Sequence, residues 1–153
     1  MGRLASIHLA PAAGAPLASV PSVRAVPGRG LEGDRYFLQA GSFSDTPGTG
    51  RECTLIEAEA LQALARELGL HLEPGATRRN LVTEGVALNH LVDREFTVGE
   101  VRLRGMRLCE PCKGLAAATG KPAVLPGLVH RGGLRCEVLS EGLLRVGDEV
   151  LPR

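Results

Sequence analysis

Twenty glycines and ten prolines constrain this 153-residue chain more than any other feature. They divide it into short segments, most of which alternate apolar with polar residues rather than follow a helical period. The pattern predicts a mainly β fold with a few short helices. Arg3 to Leu9 reads as the first strand, Pro11 to Pro16 as a loop, and Val20 to Val26 as a second strand that ends at Pro27. Cys53-Thr-Leu-Ile56 reads as a strand feeding a helix over Glu57 to Leu68. In that helix Leu61, Leu64, Ala65 and Leu68 follow the i, i+3, i+4, i+7 spacing, and Gly69 supplies the stop. Further strands are predicted over Arg79 to Thr83, Glu95 to Val98, Glu100 to Leu108, Leu134 to Leu139 and Leu144 to Leu151. Many short strands with one or two helices suggest a small barrel. The turn formers from Gly41 to Gly50 predict a long, mobile loop whose natural use is a lid.

Composition narrows the function. With 44% hydrophobic, 23% charged and 3% aromatic residues, the chain reads as one globular domain over residues 1–153 with an aliphatic core. A net charge of +1 supplies no field to attract nucleic acid or an anionic membrane. Nor does any apolar run approach the roughly 20 residues that span a bilayer. At the N-terminus Arg3 is the only early charge, and His8, Pro11 and Pro16 interrupt any signal-peptide stretch, which predicts a cytoplasmic protein. Lys113 and Lys121 are the only lysines. The remaining cations are arginines, whose forked donors suit phosphate and carboxylate. The four cysteines form no dense framework and read as reduced thiols.

Three constellations carry chemistry. Gly28-Arg-Gly30-Leu-Glu-Gly33 matches the dinucleotide-binding glycine pattern. However, Asp34-Arg-Tyr-Phe runs on into the loop, not into the helix that pattern requires. The glycines then read as a tight loop with positive φ, in which consecutive N–H groups form an anion nest. Cys109-Glu-Pro-Cys112 is a C-x-x-C with several readings. Zinc needs a second ligand pair, whereas Cys53 and Cys136 stand apart in sequence, and Leu134, Cys136 and Val138 alternate as if facing one core. A redox dithiol normally stands in a thioredoxin-like βαβ unit. A reactive thiol or soft-metal ligand fits a short helix ended by Gly120, with Cys112 in its first turn. A thiol there sees unpaired N–H groups and the positive dipole end, which favour the thiolate. Two packed, inert cysteines are the plain alternative. Finally, Arg78-Arg79-Asn80 before a short apolar strand reads as an oxyanion clamp or a surface salt-bridge network, and His130-Arg131-Gly132-Gly133 as a binding loop.

Taken in order, Gly30-Leu-Glu-Gly33-Asp34-Arg35, Arg78-Arg79-Asn80-Leu-Val-Thr-Glu-Gly85, Cys109-Glu-Pro-Cys112, Arg131-Gly-Gly133 and Val146-Gly-Asp-Glu-Val150 resemble a stand-alone MOSC domain. That family is named after the C-terminal domain of molybdenum cofactor sulfurases. The resemblance runs from about Arg24 to Leu151. It implies a small β-barrel-like fold, a pocket for the molybdenum cofactor, and one cysteine that ligates molybdenum or carries sulfur as a persulfide. Carried over residue by residue, that cysteine is Cys112, with Cys109 a neighbour that resolves a persulfide or packs. Asp34 is placed near the metal or its pterin. Arg78, Arg79 and Asn80 are assigned to the pocket, with Arg131 as a helper and Gly30, Gly33, Arg35, His130 and Gly132 in the loops around it.

The resemblance implies sulfur transfer to the cofactor or a small molybdenum-dependent oxidoreductase. The sequence holds no haem, flavin or iron–sulfur signature, so an electron- or sulfur-transfer partner protein is expected. Neither lysine stands in a Schiff-base context, so no pyridoxal phosphate is expected. The alternatives are a thiol oxidoreductase using Cys109 and Cys112, and a non-catalytic module for a phosphorylated ligand.

Overall fold

The computed structural model describes residues 2–41 and 50–153. The predicted lid loop falls, for residues 42–49, outside the described residues. Among the described residues, eleven strands and three α-helices follow in chain order: β1 (Gly2–Leu9), β2 (Ala18–Val20), β3 (Ser22–Val26), β4 (Gly30–Leu31), β5 (Cys53–Glu57), α1 (Ala58–Leu68), β6 (Leu81–Glu84), β7 (Glu95–Val98), β8 (Val101–Leu108), α2 (Lys113–Thr119), α3 (Val124–Gly127), β9 (Leu134–Val138), β10 (Gly142–Arg145) and β11 (Glu149–Pro152). Among the described residues, no helix is long and apolar enough to cross a membrane.

Seven strands close into a barrel in the order β11-β7-β8-β9-β5-β6-β1, with β1 pairing back onto β11. Closure leaves no free edge within the ring. All ring pairings are antiparallel except β5 with β6. A parallel pair needs a crossover, and α1 supplies it on the outside of the barrel. Alternation along each strand sends Leu4, Ile7, Leu55, Leu81, Phe96, Leu103, Leu134 and Cys136 into the barrel interior. A three-stranded sheet, β10-β3-β4, packs Val23, Ala25, Leu31 and Leu144 into the same core. Ile56 and Val82 point the other way, under the helices, where they meet Ala60, Leu64, Leu115, Val124 and Leu128.

The mainly β barrel expected from the sequence is present, and three details differ. Val20 to Val26 is two strands broken at Pro21, because β2 pairs with β1 while β3 pairs with β10 and β4. Leu144 to Leu151 is likewise two strands, separated by a turn in which Gly147 has φ of 97°. The buried stripe of α1 is Ala60, Ala63 and Leu64, and Leu68 is exposed. Small alanines sit where the helix presses closest to the barrel. Gly69 ends α1 in the left-handed conformation, as its position predicts.

Strand β1 contains a bulge between Leu4 and Ser6. Leu4 and Ile7 both reach the interior, so the extra residue shifts the alternation and puts Ser6 and His8 together on the outer face.

Candidate functional site

A 3-10 turn over Pro74–Thr77 ends at Arg78, which takes the left-handed conformation with φ of 63°. A non-glycine residue there is uncommon. It is held in place because its carbonyl accepts a hydrogen bond from Arg35 Nη2 at 3.0 Å. Arg78 Nη1 donates to the Ala15 carbonyl, while its buried Nη2 has no hydrogen-bond partner among the described residues. The next residue turns inward. Arg79 is buried and donates from Nε to Gly132 O at 2.8 Å, from Nη1 to Thr77 O at 3.0 Å and from Nη2 to Cys109 O at 2.9 Å. Asn80 joins three strands. Its Oδ1 accepts from the Thr54 N–H and hydroxyl, and its Nδ2 donates to His8 O at 3.1 Å.

Arg79 thereby fastens together the two loops that carry the cysteine pair and the glycine pair. At the end of β8, Cys109 is buried and its N–H donates to Gly133 O at 2.7 Å. A Cβ on Gly132 would lie 2.4 Å from Cys109 O, and one on Gly133 would lie 2.0 Å from Leu55 O. Only glycines allow these backbones to approach so closely. Residues 109–112 form no turn or bend, and Cys112 is extended, with φ −137° and ψ 171°. Cys112 is the N-cap of α2, one position before the first helical residue, and its carbonyl accepts from the Leu115 and Ala116 N–H groups. Gly120 ends α2 as expected. The Cys112 Sγ lies 3.6 Å from where a Cβ on Gly114 would stand, so the sulfur folds back over the first turn. Of the four cysteines it alone is exposed.

Burial lowers the Arg79 pKa, and the thiols of Cys109 and Cys112 lie close enough to oppose that shift. The flanks of the loop are tied down by hydrogen bonds and one ion pair. His130 N and Nδ1 both meet the Glu110 carboxylate, at 2.7 and 2.9 Å. Arg131 donates to Gly127 O and makes a two-pronged contact with Glu67, binding α3 to α1.

Asp34 is fully buried. One oxygen accepts from Ala10 N at 3.1 Å and Arg35 Nη1 at 3.0 Å, and the other has no hydrogen-bond partner among the described residues. The glycine stretch before it forms β4 and turns, not a helix. Gly30, with φ of 107°, presses against Glu52, whereas Gly33, with φ of 89°, has open space around it. Much of the expected anion nest is already used: Gly28 N donates to Glu52, and the N–H groups of Arg29, Glu32 and Asp34 donate to carbonyls.

A groove of about 570 Å³ runs beside Arg78, between the outer face of β1 and the 3-10 turn, and reaches Ala118 in α2. Cys112 lies six residues back along α2, about 9 Å at the helical rise. The structure therefore brings the sequence-selected residues into two groups: Cys109, Cys112, Arg79 and Gly132 at one end of α2, and Arg78 with Arg35 and Asp34 near the other. His130 and Arg131 stand on the flank. Of the polar residues of the groove, Ser6 and His8 were hidden in the predicted first strand, their only trace being the Ser-x-His spacing, and Ser19 lay just before the second. Cys53 and Cys136, far apart in sequence, face one another across β5 and β9. Both are fully buried, and burial raises both thiol pKa values. Among the described residues, no group of three or more His, Cys, Asp or Glu forms a metal cluster.

A closed seven-stranded barrel that fixes an exposed thiol at a helix N-cap, over a buried arginine, defines a small thiol-bearing barrel domain. The chain belongs to the MOSC domain family, whose model matches residues 40–151 and which is associated with molybdenum cofactor-related function. Its fold is similar to that of the YuaD protein from Bacillus subtilis, with TM-score 0.76 and 19% identity over 98% of this chain and 94% of that one. YiiM from Geobacillus stearothermophilus gives 0.77 and 15% over 100% and 75%, and YiiM from Escherichia coli 0.68 and 18% over 99% and 69%. No curated protein matches the sequence.

Proposed function

We propose that the chain binds the molybdenum cofactor through Cys112 and acts on it with a partner protein, as a sulfur carrier or as a small oxidoreductase. The observation that carries this reading is the placement of Cys112. It is the one exposed thiol of the four, set at the N-cap of α2 on loops that buried Arg79 fastens from beneath. A thiolate is a ligand for soft, thiophilic metals. When bound, the cofactor supplies a molybdenum centre for oxygen- or sulfur-atom transfer.

The remaining residues fit the cofactor in different ways. Arg79, Arg35 and Arg131 have protein acceptors, whereas Arg78 Nη2 has none among the described residues, and Arg78 lines the groove. Arg78 is the guanidinium for the pterin phosphate. The unpartnered oxygen of Asp34 is an acceptor for a cofactor N–H. Asn80 and Arg79 are positioning residues, Gly132 admits the close packing under Cys109, and Gly30 and Gly33 shape the loop before Asp34. His130 and Arg131 brace the flank. Cys112 would hold either the metal or a transferable sulfur, and both uses draw electrons or sulfur from a partner.

A thiol oxidoreductase needs Cys109 and Cys112 to meet. Cys109 is buried at the end of β8 while Cys112 is exposed, and both are free thiols, which favours Cys112 acting alone.

After loading with molybdenum cofactor and gel filtration, the wild-type chain is expected to retain metal and pterin in near-equal amounts. Cys112→Ser should lose at least about tenfold of the molybdenum, the loss of one strong ligand. Equal retention by both chains, or by neither, overturns the proposal.

A further inference from the structure

Cys53 and Cys136 play no part in the site at Cys112, yet the barrel sets them face to face. They are direct partners in the antiparallel register of β5 with β9, and both side chains enter the same interior core. Neither has exposed surface, and both are free thiols. Cysteine packs well as a small apolar residue, but packing alone does not require two of them at one register position.

The backbone shows what kind of pair they form. Thr54 N donates to Asn80 Oδ1, on the β6 side of β5. Backbone groups alternate between the two edges of a strand, so Cys53 and Leu55 turn theirs toward β9. The close approach of Gly133 to Leu55 O agrees. Cys53 and Cys136 are therefore a hydrogen-bonded pair, whose Cα atoms stand about 5.5 Å apart. A disulfide spans Cα separations of about 4.4–6.8 Å. Cβ atoms in such a pair lie about 5 Å apart, and a disulfide draws them to about 4 Å. Closure thus asks for a small inward shift of two strands and no change of register. A bond held under that tension is readily reduced again.

Burial raises both thiol pKa values, so both groups stay protonated at pH 7. They react only when β5 and β9 part enough to admit a small oxidant, which makes the reaction slow in the folded chain.

We propose that Cys53 and Cys136 are a reversible redox pair, which hydrogen peroxide closes into a cross-strand disulfide that locks β5 to β9. One sulfur, losing its proton, attacks a peroxide oxygen; the O–O bond breaks, one water leaves and the sulfur becomes a sulfenic acid. The second sulfur then attacks the first, and the S–S bond forms as the hydroxyl departs with the second thiol's proton as another water. Two thiols are oxidised and one peroxide is reduced to two waters. A dithiol reopens the bond by exchange. The inference involves neither Cys112 nor molybdenum. In the oxidised form the strand that leads into α1 is fixed to the strand that follows the Gly132-Gly133 loop.

The test uses the cofactor-free chain, with exposed Cys112 first capped by iodoacetamide under native conditions. Hydrogen peroxide is added, then removed with catalase, and the chain is unfolded in guanidinium chloride with N-ethylmaleimide. Mass spectrometry is expected to show a chain lighter by two hydrogen atoms before labelling, N-ethylmaleimide on Cys109 alone, and two peptides joined through Cys53 and Cys136. Dithiothreitol should return both thiols. The oxidised chain is expected to melt about 5 °C higher than the reduced one, because the bond closes a loop of more than half the chain. N-ethylmaleimide on both Cys53 and Cys136 after peroxide, a bond from either of them to Cys109, or an unchanged or lower melting temperature overturns the inference.

Discussion

Replacing Arg79 by alanine is expected to cost about 4 kcal/mol of folding stability and to lower the melting temperature by about 10 °C. The guanidinium is buried and meets three main-chain carbonyls, those of Thr77, Cys109 and Gly132, at 2.8 to 3.0 Å. These acceptors belong to three different segments, and no neighbouring side chain can replace a planar fork that reaches all of them. Removing it leaves buried carbonyls to be satisfied by water that must enter the site. Arg79→Lys keeps the charge but not the geometry and should recover less than half of the loss. Because the same contacts hold the Cys109 and Gly132 loops in register, the alanine variant should also retain less molybdenum. Circular dichroism melting checks the stability, and a loss under about 1 kcal/mol would contradict this role for Arg79.

Gly133→Ala is expected to be more damaging still, with a loss above about 4 kcal/mol or failure to fold. Gly133 has φ of 117°, and an added Cβ would stand 2.0 Å from Leu55 O in the neighbouring strand. The clash is with backbone in the barrel wall, so relief requires β5 and β9 to separate. Gly33→Ala is the matched comparison: its φ of 89° is equally foreign to alanine, yet open space surrounds it. Strain alone should cost about 1–2 kcal/mol there. Urea unfolding of the two variants compares them, and equal losses would show that close packing at Gly133 contributes nothing beyond backbone strain.

Much of the fold is legible in residue order, because alternation and glycine punctuation act locally. Glu95–Val98 was bounded correctly, and Gly69 and Gly120 stop their helices where expected. Pairing is a different matter. The contact of β1 with β11 that closes the barrel joins opposite ends of the chain, and no local pattern encodes it. The break at Pro21 marks a change of pairing partner, from β1 to β10 and β4, which no local pattern encodes. Helix α3 contains Pro126 and ends on Gly127, so its own residues argue against it.

The site shows the same division. Cys112 at a helix start followed from Ala116 to Ala118 and Gly120, and the structure sets it one residue earlier, at the N-cap. Arginines offered no such distinction. A fork that meets a ligand and a fork that meets carbonyls are the same residue in sequence, and only the fold separates Arg78, with an unpartnered Nη2 among the described residues, from Arg79, tied to three carbonyls. Ser6 and His8 escaped notice because the bulge between Leu4 and Ser6 shifts the alternation and turns that face of β1 outward, which residue order does not reveal.

The central claim is that a sulfur atom of this chain holds molybdenum. X-ray absorption at the molybdenum edge, on the cofactor-loaded wild type and on Cys112→Ser at matched metal content, tests it most directly. The wild type should show one sulfur neighbour more than the variant, with an oxygen or nitrogen neighbour taking its place in Cys112→Ser. Identical sulfur counts in the two proteins would contradict the account and detach Cys112 from the metal.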